Sequence, residues 1–274
     1  MTVTLHLGDC LDVMRTMPAG SVDAIITDLP YGTTACKWDT VIPFAPMWEQ
    51  VKRVIKARGA VVFFAAQPFT SALVMSNPTM FRQEIVWDKV LPVGFLDANR
   101  RHLRRHENIL LFSIDGYTTF NPQKTSGQPY SRPPKALTPV YNNFVPLAGV
   151  NETGDRFPTS IVVVSNANKC KDSHPTQKPV DLLRYLVRTY TNPGETVLDF
   201  CFGSCTTGVA CLLENRNFIG IEKEKDYFDI GSNRMEKQRV EIQHTLFSCG
   251  TTDTSKSDCL GSSLPQALEM FDKA

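Results

Sequence analysis

One stretch organises this sequence of 274 residues: Val22-Asp23-Ala24-Ile25-Ile26-Thr27-Asp28-Leu29-Pro30-Tyr31-Gly32. Its apolar first half is typical of a central strand that is buried on both faces of a parallel sheet. The strand ends in a carboxylate, a proline and an aromatic ring, and ligands of open α/β sheets bind at such strand ends. Asp28 and the carbonyl of Leu29 can each accept one N–H of an exocyclic amine. The ring of Tyr31 can stack on a planar base, a contact worth about 1–3 kcal/mol. The stretch therefore predicts a site for an amino-bearing heterocycle.

A second unit with a ligand-binding pattern lies in the C-terminal part of the chain. Thr196–Asp199 is a short predicted strand, followed by a turn of small residues and phenylalanines and by a helix over Val209–Glu214. The next predicted strand, Phe218–Ile221, ends at Glu222. An acid at the end of the second strand of such a unit typically binds ribose hydroxyls, so the turn predicts a nucleoside-cofactor site.

The turn itself narrows the choice of cofactor. The spacing of Gly203 and Gly208 superficially fits a phosphate loop, but Val209-Ala210 stand where Lys-Ser/Thr would be needed. The G-x-G-x-x-G pattern of a dinucleotide site is also missing. A turn that contains two phenylalanines and lacks hydrogen-bond donors for a phosphate is better suited to a nucleoside that bears a sulfonium, namely S-adenosylmethionine. Phe200 or Phe202 could then face the sulfonium as a cation–π partner worth about 0.5–2 kcal/mol.

Three motifs resemble those of amino-group DNA methyltransferases. Asp28-Leu29-Pro30-Tyr31 is similar to the D-P-P-Y catalytic motif of that family, and Asp199–Cys205 is similar to its D-P-F-x-G-S-G cofactor motif. His174–Pro179 is similar to its H-P-T-Q-K-P segment. A catalytic motif that precedes the cofactor motif is the circularly permuted order of the β class. The chain departs from the pattern at Leu29, where the family has proline, and at Cys205, where it has glycine.

The resemblance implies a doubly wound, Rossmann-like α/β sheet and a set of site residues. It implies transfer of a methyl group from S-adenosylmethionine to a flipped base of double-stranded DNA, with Asp rather than Ser at position 28 favouring adenine N6. Cytosine N4 and a non-catalytic DNA-binding relative stay as alternatives, and a homodimer and a cognate restriction endonuclease are further partners to look for. The implied catalytic residues are Asp28, Leu29, Pro30 and Tyr31, and the implied cofactor-binding residues are Asp9, Lys178, Asp199, Phe200, Phe202, Gly203, Ser204, Thr206 and Glu222.

Several of these residues have a second, structural interpretation. Asp9 could contact the adenine amine of the cofactor or simply cap the helix that follows it. Ser204 or Thr206 could cap the helix after the cofactor turn. Lys178 is expected, from the resemblance, to meet the methionine carboxylate of the cofactor. Trp38 and Asp39 extend the catalytic loop and either cover the base or pack.

Alternating strand and helix patterns predict a mostly parallel sheet that is assembled from both ends of the chain. Residues 1–114 form the catalytic half and residues 161–244 the S-adenosylmethionine-binding half, separated by a loop-rich target-recognition insertion over 115–160 and followed by a poorly ordered tail over 245–274. The remaining predicted elements are strands at Thr2–Leu7, Ala60–Ala66, Phe81–Lys89 and Glu107–Ser113 and helices at Leu11–Met17, Pro43–Lys56, Phe69–Met75, Tyr227–Gln243 and Leu264–Phe271.

Charge and cysteine content set further bounds. The net charge is +1, so a nucleic-acid footprint must be local. Residues 97–136 contain seven basic side chains against three acidic ones, either a phosphate-contacting surface or a solvated charged face. Without a signal pattern or an 18-residue apolar run, the chain is expected to be cytoplasmic. Eight cysteines without a C-x-x-C pair predict no metal site. The predicted DNA-binding residues are Arg100, Arg101, Arg104, Arg105, Lys124, Arg132 and Lys135.

Overall fold

The computed structural model describes residues 1–34, 36, 39–133, 149–166 and 177–249, with side chains described up to residue 245. The strands are β1 (Val3–Leu7), β2 (Val22–Asp28), β3 (Ile55–Ala65), β4 (Phe81–Val93), β5 (Arg104–Phe112), β6 (Tyr130–Arg132), β7 (Gly149–Asn151), β8 (Ile161–Val163), β9 (Thr196–Asp199) and β10 (Asn217–Glu222). The helices are α1 (Cys10–Thr16), α2 (Phe44–Val54), α3 (Phe69–Ser76), α4 (Val180–Tyr190), α5 (Thr206–Leu213) and α6 (Lys225–Cys249).

Eight strands form one sheet in the order β1-β10-β9-β2-β3-β5-β4-β8. Neighbouring strands are parallel except β5, which is antiparallel to both β3 and β4. The N-terminal strand β2 lies beside the C-terminal strand β9, with Ala24 opposite Val197. The two halves of the chain therefore join at the centre of the sheet, as the sequence predicted.

Helices cover both faces of the sheet. One core packs α4, α5 and α6 against Ala24, Ile26 and Val62. The other packs α1, α2 and α3 against Ile25 and Phe63. Successive residues of a strand point to opposite faces, so a continuous apolar run in β2 serves both cores at once. The doubly wound α/β fold is thereby confirmed.

Three predicted boundaries are wrong for identifiable reasons. The helix predicted to reach Lys56 ends at Val54, and β3 begins at Ile55 rather than Ala60, because Ile55 pairs with Val22 on the neighbouring strand. Helix α5 begins at Thr206 rather than Val209, because left-handed backbone at Cys205 (φ 58°) turns the chain into the helix three residues earlier.

The predicted insertion contains a small sheet of its own. Strands β6 and β7 pair antiparallel, and Thr125 forms a bridge with Arg156. The predicted tail begins inside α6, which runs to Cys249. The predicted helix at Leu264–Phe271 lies outside the described residues, as do Trp38, Lys135 and His174. Within the described ranges, no helix combines the length and the apolar character that a bilayer crossing requires.

Candidate active site

A cavity of about 300 Å³ opens where β1, β2, β9 and β10 end. Its wall includes Asp28, Leu29 and Pro30 from the end of β2 and the whole turn Phe200–Ser204 after β9. These two segments are far apart in the chain, but they meet because their strands are parallel neighbours. The structure thus brings together the two turns that the sequence singled out.

The carboxylate of Asp28 is held from two sides. The hydroxyl of Tyr31 donates to its Oδ1 at 2.7 Å, and the ammonium of Lys178 donates to its Oδ2. A carboxylate offers about four lone-pair sites, so these two bonds leave acceptor capacity for a ligand amine. About a third of the Asp28 side chain is still exposed, and it lies in the cavity wall.

Lys178 is buried at the centre of a chain of alternating charges. Its ammonium lies 3.4 Å from Oε2 of Glu107, whose Oε1 accepts from Lys89 at 3.1 Å. Burial favours the neutral amine, but the facing carboxylates of Asp28 and Glu107 outweigh it and raise the pKa of Lys178. Burial likewise opposes the ionised form of Glu107, but the two lysines lower its pKa. Lys178 and Glu107 are therefore oppositely charged partners at neutral pH, and Lys89 and Asp28 contact them from either side. Binding of the cofactor carboxylate by Lys178 stays a prediction.

Tyr31 is fixed by its ring as well as by its hydroxyl. Its ring stacks on Phe69, with centroids 5.2 Å apart and an interplanar angle of 27°. Burial, followed by the charges of Asp28 and Glu107, raises the pKa of Tyr31 well above its usual range. The phenol is therefore a neutral donor to Asp28, and one face of its ring is already covered.

Asp39 holds the loop that follows the catalytic turn. Its carboxylate accepts backbone N–H groups from Gly32 at 2.8 Å, Thr33 at 2.9 Å and Thr34 at 2.7 Å. Burial opposes ionisation of Asp39, but these hydrogen bonds and that of the Thr34 side chain outweigh it and lower its pKa. Gly32 has φ +67°, a left-handed conformation that suits glycine. Asp39 is thus an anchor of the loop backbone.

Asp199 connects the two halves of the site across the sheet. It is 3% exposed, and its Oδ1 accepts the hydroxyl of Thr27 at 2.6 Å and the N–H of Cys201 at 3.2 Å. Burial is the main reason why the pKa of Asp199 is raised to about 6. The Thr27 bond spans 172 positions of sequence and ties the end of β2 to the end of β9.

The cofactor turn leaves space where a nucleoside could lie. Gly203 has φ +48°, and a Cβ added to it would meet nothing within 4 Å. Its N–H donates to Glu222 at 2.9 Å, and the other oxygen of Glu222 accepts from the Glu224 N–H at 2.8 Å. Burial raises the pKa of Glu222. Asp9 caps α1 through the Leu11 N–H at 3.0 Å while it lines the same cavity, so its capping role is observed and its cofactor role stays a prediction.

Both phenylalanines of the turn line the cavity and are almost fully buried. Phe200 packs edge-to-face against Phe63, with centroids 6.0 Å apart. Phe202 packs against Phe228 at 5.9 Å. Their cation–π role toward a sulfonium stays a prediction.

The alternative interpretation of Ser204 or Thr206 as the side-chain cap of α5 is wrong. The N-cap residue is Cys205, and no side chain caps the helix. Ser204 and Thr206 are held instead by Arg234, which donates to the Ser204 carbonyl and the Thr206 hydroxyl, each at 2.9 Å. The Cys205 side chain is fully buried against Gly208 and Gly231, and burial raises the pKa of its thiol. The side-chain atoms that cysteine has and glycine lacks therefore lie in the core.

The predicted DNA-binding residues lie on two separate elements. Arg100, Arg101, Arg104 and Arg105 belong to the β4–β5 connection and its flank, whereas Lys124 and Arg132 belong to the insertion. Arg101 pairs with Asp97 and Arg105 with Asp88, while Lys124 lies 3.5 Å from Asp155. Their contacts with DNA stay predictions.

Sequence reasoning missed Glu107 and Lys89 and gave Asp39 no defined role. A signal for Glu107 was available, since it is the charged residue that precedes the apolar run Ile109–Phe112 of a buried strand. In the ranges that the structure describes, no group of three or more His, Cys, Asp or Glu side chains could hold a metal ion.

Comparison with known proteins places this geometry in a family. A model described as DNA methylase, of the N6/N4 methyltransferase type, matches residues 22–233. The chain is 28% identical over 255 residues to the type II methyltransferase M.HpaI of Haemophilus parainfluenzae, covering 87% of this chain and 76% of that protein. It is 27% identical over 248 residues to the DNA adenine methyltransferase YhdJ of Escherichia coli strain K12, covering 85% and 82%.

Solved structures share the fold. The M1.HpyAVI–SAM complex superposes with a TM-score of 0.58 at 24% identity, covering 85% of this chain and all of that one. The cytosine-N4-specific PvuII DNA methyltransferase superposes with a TM-score of 0.65 at 16% identity, covering 90% and 93%. Because the family match runs from β2 into α6 and so includes both turns of the cavity, this chain belongs to the N6/N4 DNA methylase family and is a β-class amino-group DNA methyltransferase.

Proposed function

We propose that this methyltransferase acts on the N6 amino group of adenine in double-stranded DNA, with the target base flipped into the cavity. One observation supports this proposal most: Asp28 and Leu29 line the same cavity as the Phe200–Ser204 turn. Two acceptors for an exocyclic amine therefore face the place where a methyl donor would bind.

S-adenosylmethionine is the methyl donor, and the wall of the cavity fits it. The open space above Gly203 suits a ligand that approaches the backbone closely, and Glu222 and Asp9 lie at strand ends where carboxylates bind nucleoside hydroxyls and amines. When bound, this cofactor supplies an electrophilic methyl group on a sulfonium, which is reactive without help from a protein base.

Asp28 has the main chemical role in this proposal. The lone pair of an exocyclic amine is delocalised into the ring, so the nitrogen becomes nucleophilic only as it pyramidalises. Asp28 and the Leu29 carbonyl accept its two N–H groups and stabilise the positive charge that develops. Tyr31 and Lys178 donate to Asp28 and hold its carboxylate in position. The proton leaves after transfer, to Asp28 or to water.

Adenine is favoured over cytosine on two grounds. The catalytic motif has Asp at position 28 where Ser would favour cytosine N4, by resemblance, and the relative YhdJ is named a DNA adenine methyltransferase. The PvuII enzyme, which shares the fold, is named cytosine-N4-specific, so the fold alone does not discriminate. A homodimer and a partner restriction endonuclease stay predictions.

Methylation mapping tests the proposal directly. The chain is expressed in cells that lack their own DNA methyltransferases, and the digested DNA is analysed by mass spectrometry and by methylation-sensitive sequencing. N6-methyladenine at a defined site is expected, whereas N4-methylcytosine would support the alternative base. Tight DNA binding without tritium transfer from labelled S-adenosylmethionine would support a non-catalytic relative.

Two controls separate chemistry from binding. Asp28→Ala should lose at least about 100-fold in turnover while it still binds the cofactor, because an amine acceptor is removed. Near-normal turnover of Asp28→Ala would refute the proposed chemistry. Once the site is known, 2-aminopurine at the target should become more fluorescent on binding, because flipping removes it from the base stack.

A further inference from the structure

The connection between β4 and β5 projects from the sheet edge that carries Asp28. Asp28 lies beside Phe64 of β3, and Ala65 at the end of β3 pairs with Asn108 of β5. Because β5 runs antiparallel to β3, its earlier residues extend beyond this edge. Residues 89–106, here named the hairpin, therefore project on the same side of the molecule as the cavity mouth.

The base of the hairpin is tied to the active site. Glu107, the first residue of β5 after the hairpin, contacts Lys178, which in turn contacts Asp28. Lys89, the first residue of the hairpin, contacts Glu107 from the other strand. The position of the hairpin is thus coupled to the catalytic carboxylate through three successive ion pairs.

The tip of the hairpin presents large apolar side chains to solvent. Phe95 is 81% exposed and Leu96 is fully exposed. They are presented by an ordered turn, since Gly94 has φ +92° and the N–H groups of Asp97 and Ala98 bond to the Gly94 and Phe95 carbonyls, each at 3.0 Å. Further exposed apolar side chains adjoin the tip, namely Val90, Leu91, Val93 and Leu103. An apolar surface of this kind marks an interaction site.

Positive charge flanks the apolar tip. Residues 94–106 contain four arginines and two histidines against one acid, Asp97. Arg105 is held by both oxygens of Asp88, at 2.7 and 2.9 Å, and Arg101 by Asp97. Arg100 and Arg104 form no ion pair with any residue that the structure describes. A partner for this surface combines an anionic exterior with an apolar interior, as duplex DNA does, whereas a second copy would bring like charges together.

We propose that the hairpin docks on the target duplex, inserts Phe95 and Leu96 into the base stack beside the target base, and contacts phosphates through its arginines. This inference rests on the proposed function and assigns residues to the step in which the base leaves the stack. Inserted apolar side chains unstack a base step, and they fill the space that a flipped base vacates. Because the base of the hairpin contacts Lys178, insertion is coupled in position to Asp28.

The contact with DNA is tested without turnover. Phe95→Trp places an indole at the tip, and Met75→Trp places one at a site of similar exposure (73%). Met75 is a suitable control because α3 leads away from the cavity edge to the start of β4 at the opposite edge. The three native tryptophans, Trp38, Trp48 and Trp87, are present in every variant, so the difference from wild type reports the new indole. Adding duplex DNA should lower acrylamide quenching of Phe95→Trp at least about threefold and leave Met75→Trp unchanged.

Insertion is tested with two DNA substrates. The double variant Phe95→Ala/Leu96→Ala should lose about 10- to 100-fold in kcat/KM on a matched duplex. It should recover to within about threefold of wild type on a duplex with an abasic site opposite the target, because that base is already less constrained. Met75→Ala is the matched control. Circular dichroism checks that each variant is folded.

The outcomes separate this inference from the proposed function. Unchanged quenching of Phe95→Trp, wild-type activity of the double variant on matched DNA, or equal losses on both substrates would each overturn insertion. Quenching protection without DNA that increases with protein concentration would assign the tip to a second copy and also overturn it. Absence of methyl transfer by the wild type overturns the proposed function alone, since the quenching result is obtained without turnover.

Discussion

Removal of the Lys178 ammonium is the perturbation whose effect follows most directly from the site. Lys178→Met keeps the length of the side chain and deletes its charge. In the wild type this ammonium lies between Asp28 and Glu107, 3.4 Å from the latter, and over the ring of Phe64. After substitution the two carboxylates face each other, with Lys89 and Tyr31 as the nearest remaining partners.

The size of the effect follows from this arrangement. Both carboxylates contact one nitrogen, so their oxygens are about 6 Å apart or less, and at an effective dielectric constant of about 20 their repulsion is roughly 2–3 kcal/mol. Each side chain is partly exposed (32% for Asp28 and 20% for Glu107), which weakens the repulsion. Burial raises the pKa of Glu107 and the charge of Lys178 is the largest influence that lowers it, so removal of Lys178 raises the pKa of Glu107. The sign is definite, because loss of a positive charge favours protonation of a carboxylate.

Single-turnover methylation measured between pH 5 and 9 at saturating cofactor tests this expectation. The acidic limb of the rate profile should move to higher pH, so the activity that Lys178→Met loses relative to the wild type should be greatest at the acidic end of this range and smallest at pH 8. Lys178→Arg should restore the wild-type limb, and Lys225→Met, an exposed lysine on α6, should leave it unchanged. An unshifted limb together with a raised cofactor dissociation constant would refute the positioning role and support contact with the methionine carboxylate.

Three further predictions follow from single residues. Cys205→Gly should change the cofactor dissociation constant less than about twofold by calorimetry, because its side chain packs in the core; a tenfold change would contradict this packing. Asp39→Asn should cost about 1–2 kcal/mol in urea denaturation at pH 7, and this cost should shrink as the pH falls below 3.8, since hydrogen bonds to the ionised form lower the pKa of Asp39. The pKa of Asp199 is raised to about 6 by burial, so its contribution to stability is lost as the pH rises through that value. Asp199→Asn should gain up to about 3 kcal/mol over the wild type between pH 4 and pH 8, and parallel stability curves would exclude this.

The sequence predicted the features that depend on strand patterns. A buried strand that ends in Asp28-Leu29-Pro30 and another that ends in Asp199 had to place their turns at one sheet edge once both strands were parallel, and the cavity contains both. Strands at Phe81–Lys89 and Glu107–Ser113 were also expected, whereas the antiparallel direction of β5 was not predicted. The permuted order of the motifs further predicted a sheet assembled from both ends of the chain, and the structure shows that the two ends meet where β2 pairs with β9.

Features that depend on strand register or on the path of a loop could not be predicted from the sequence. Glu107 contacts Lys178 only because β5 pairs with β3 in a register that sets Asn108 opposite Ala65 and so places Glu107 just beyond the end of β3. The three amides that bond to Asp39 depend on the path of a loop, which no periodic pattern specifies. The start of β3 at Ile55 could not be recognised from the sequence, because three exposed residues separate Ile55 from the buried run that continues the strand.

The two departures from the family pattern bear on whether the chain is an active enzyme. Leu29 stands for a proline, and its side chain packs into the core on the α1–α3 face of the sheet. Cys205 stands for a glycine, and its side chain packs into the core on the α4–α6 face. As far as the structure describes the cavity wall, Cys205 is not part of it, and from Leu29 the chemistry requires only the backbone carbonyl. Left-handed backbone at Cys205 costs about 1–2 kcal/mol, which burial of its side chain largely offsets. Both substitutions therefore alter the helix layers and leave the acceptor groups in place, and this arrangement favours a working methyltransferase over a decayed relative.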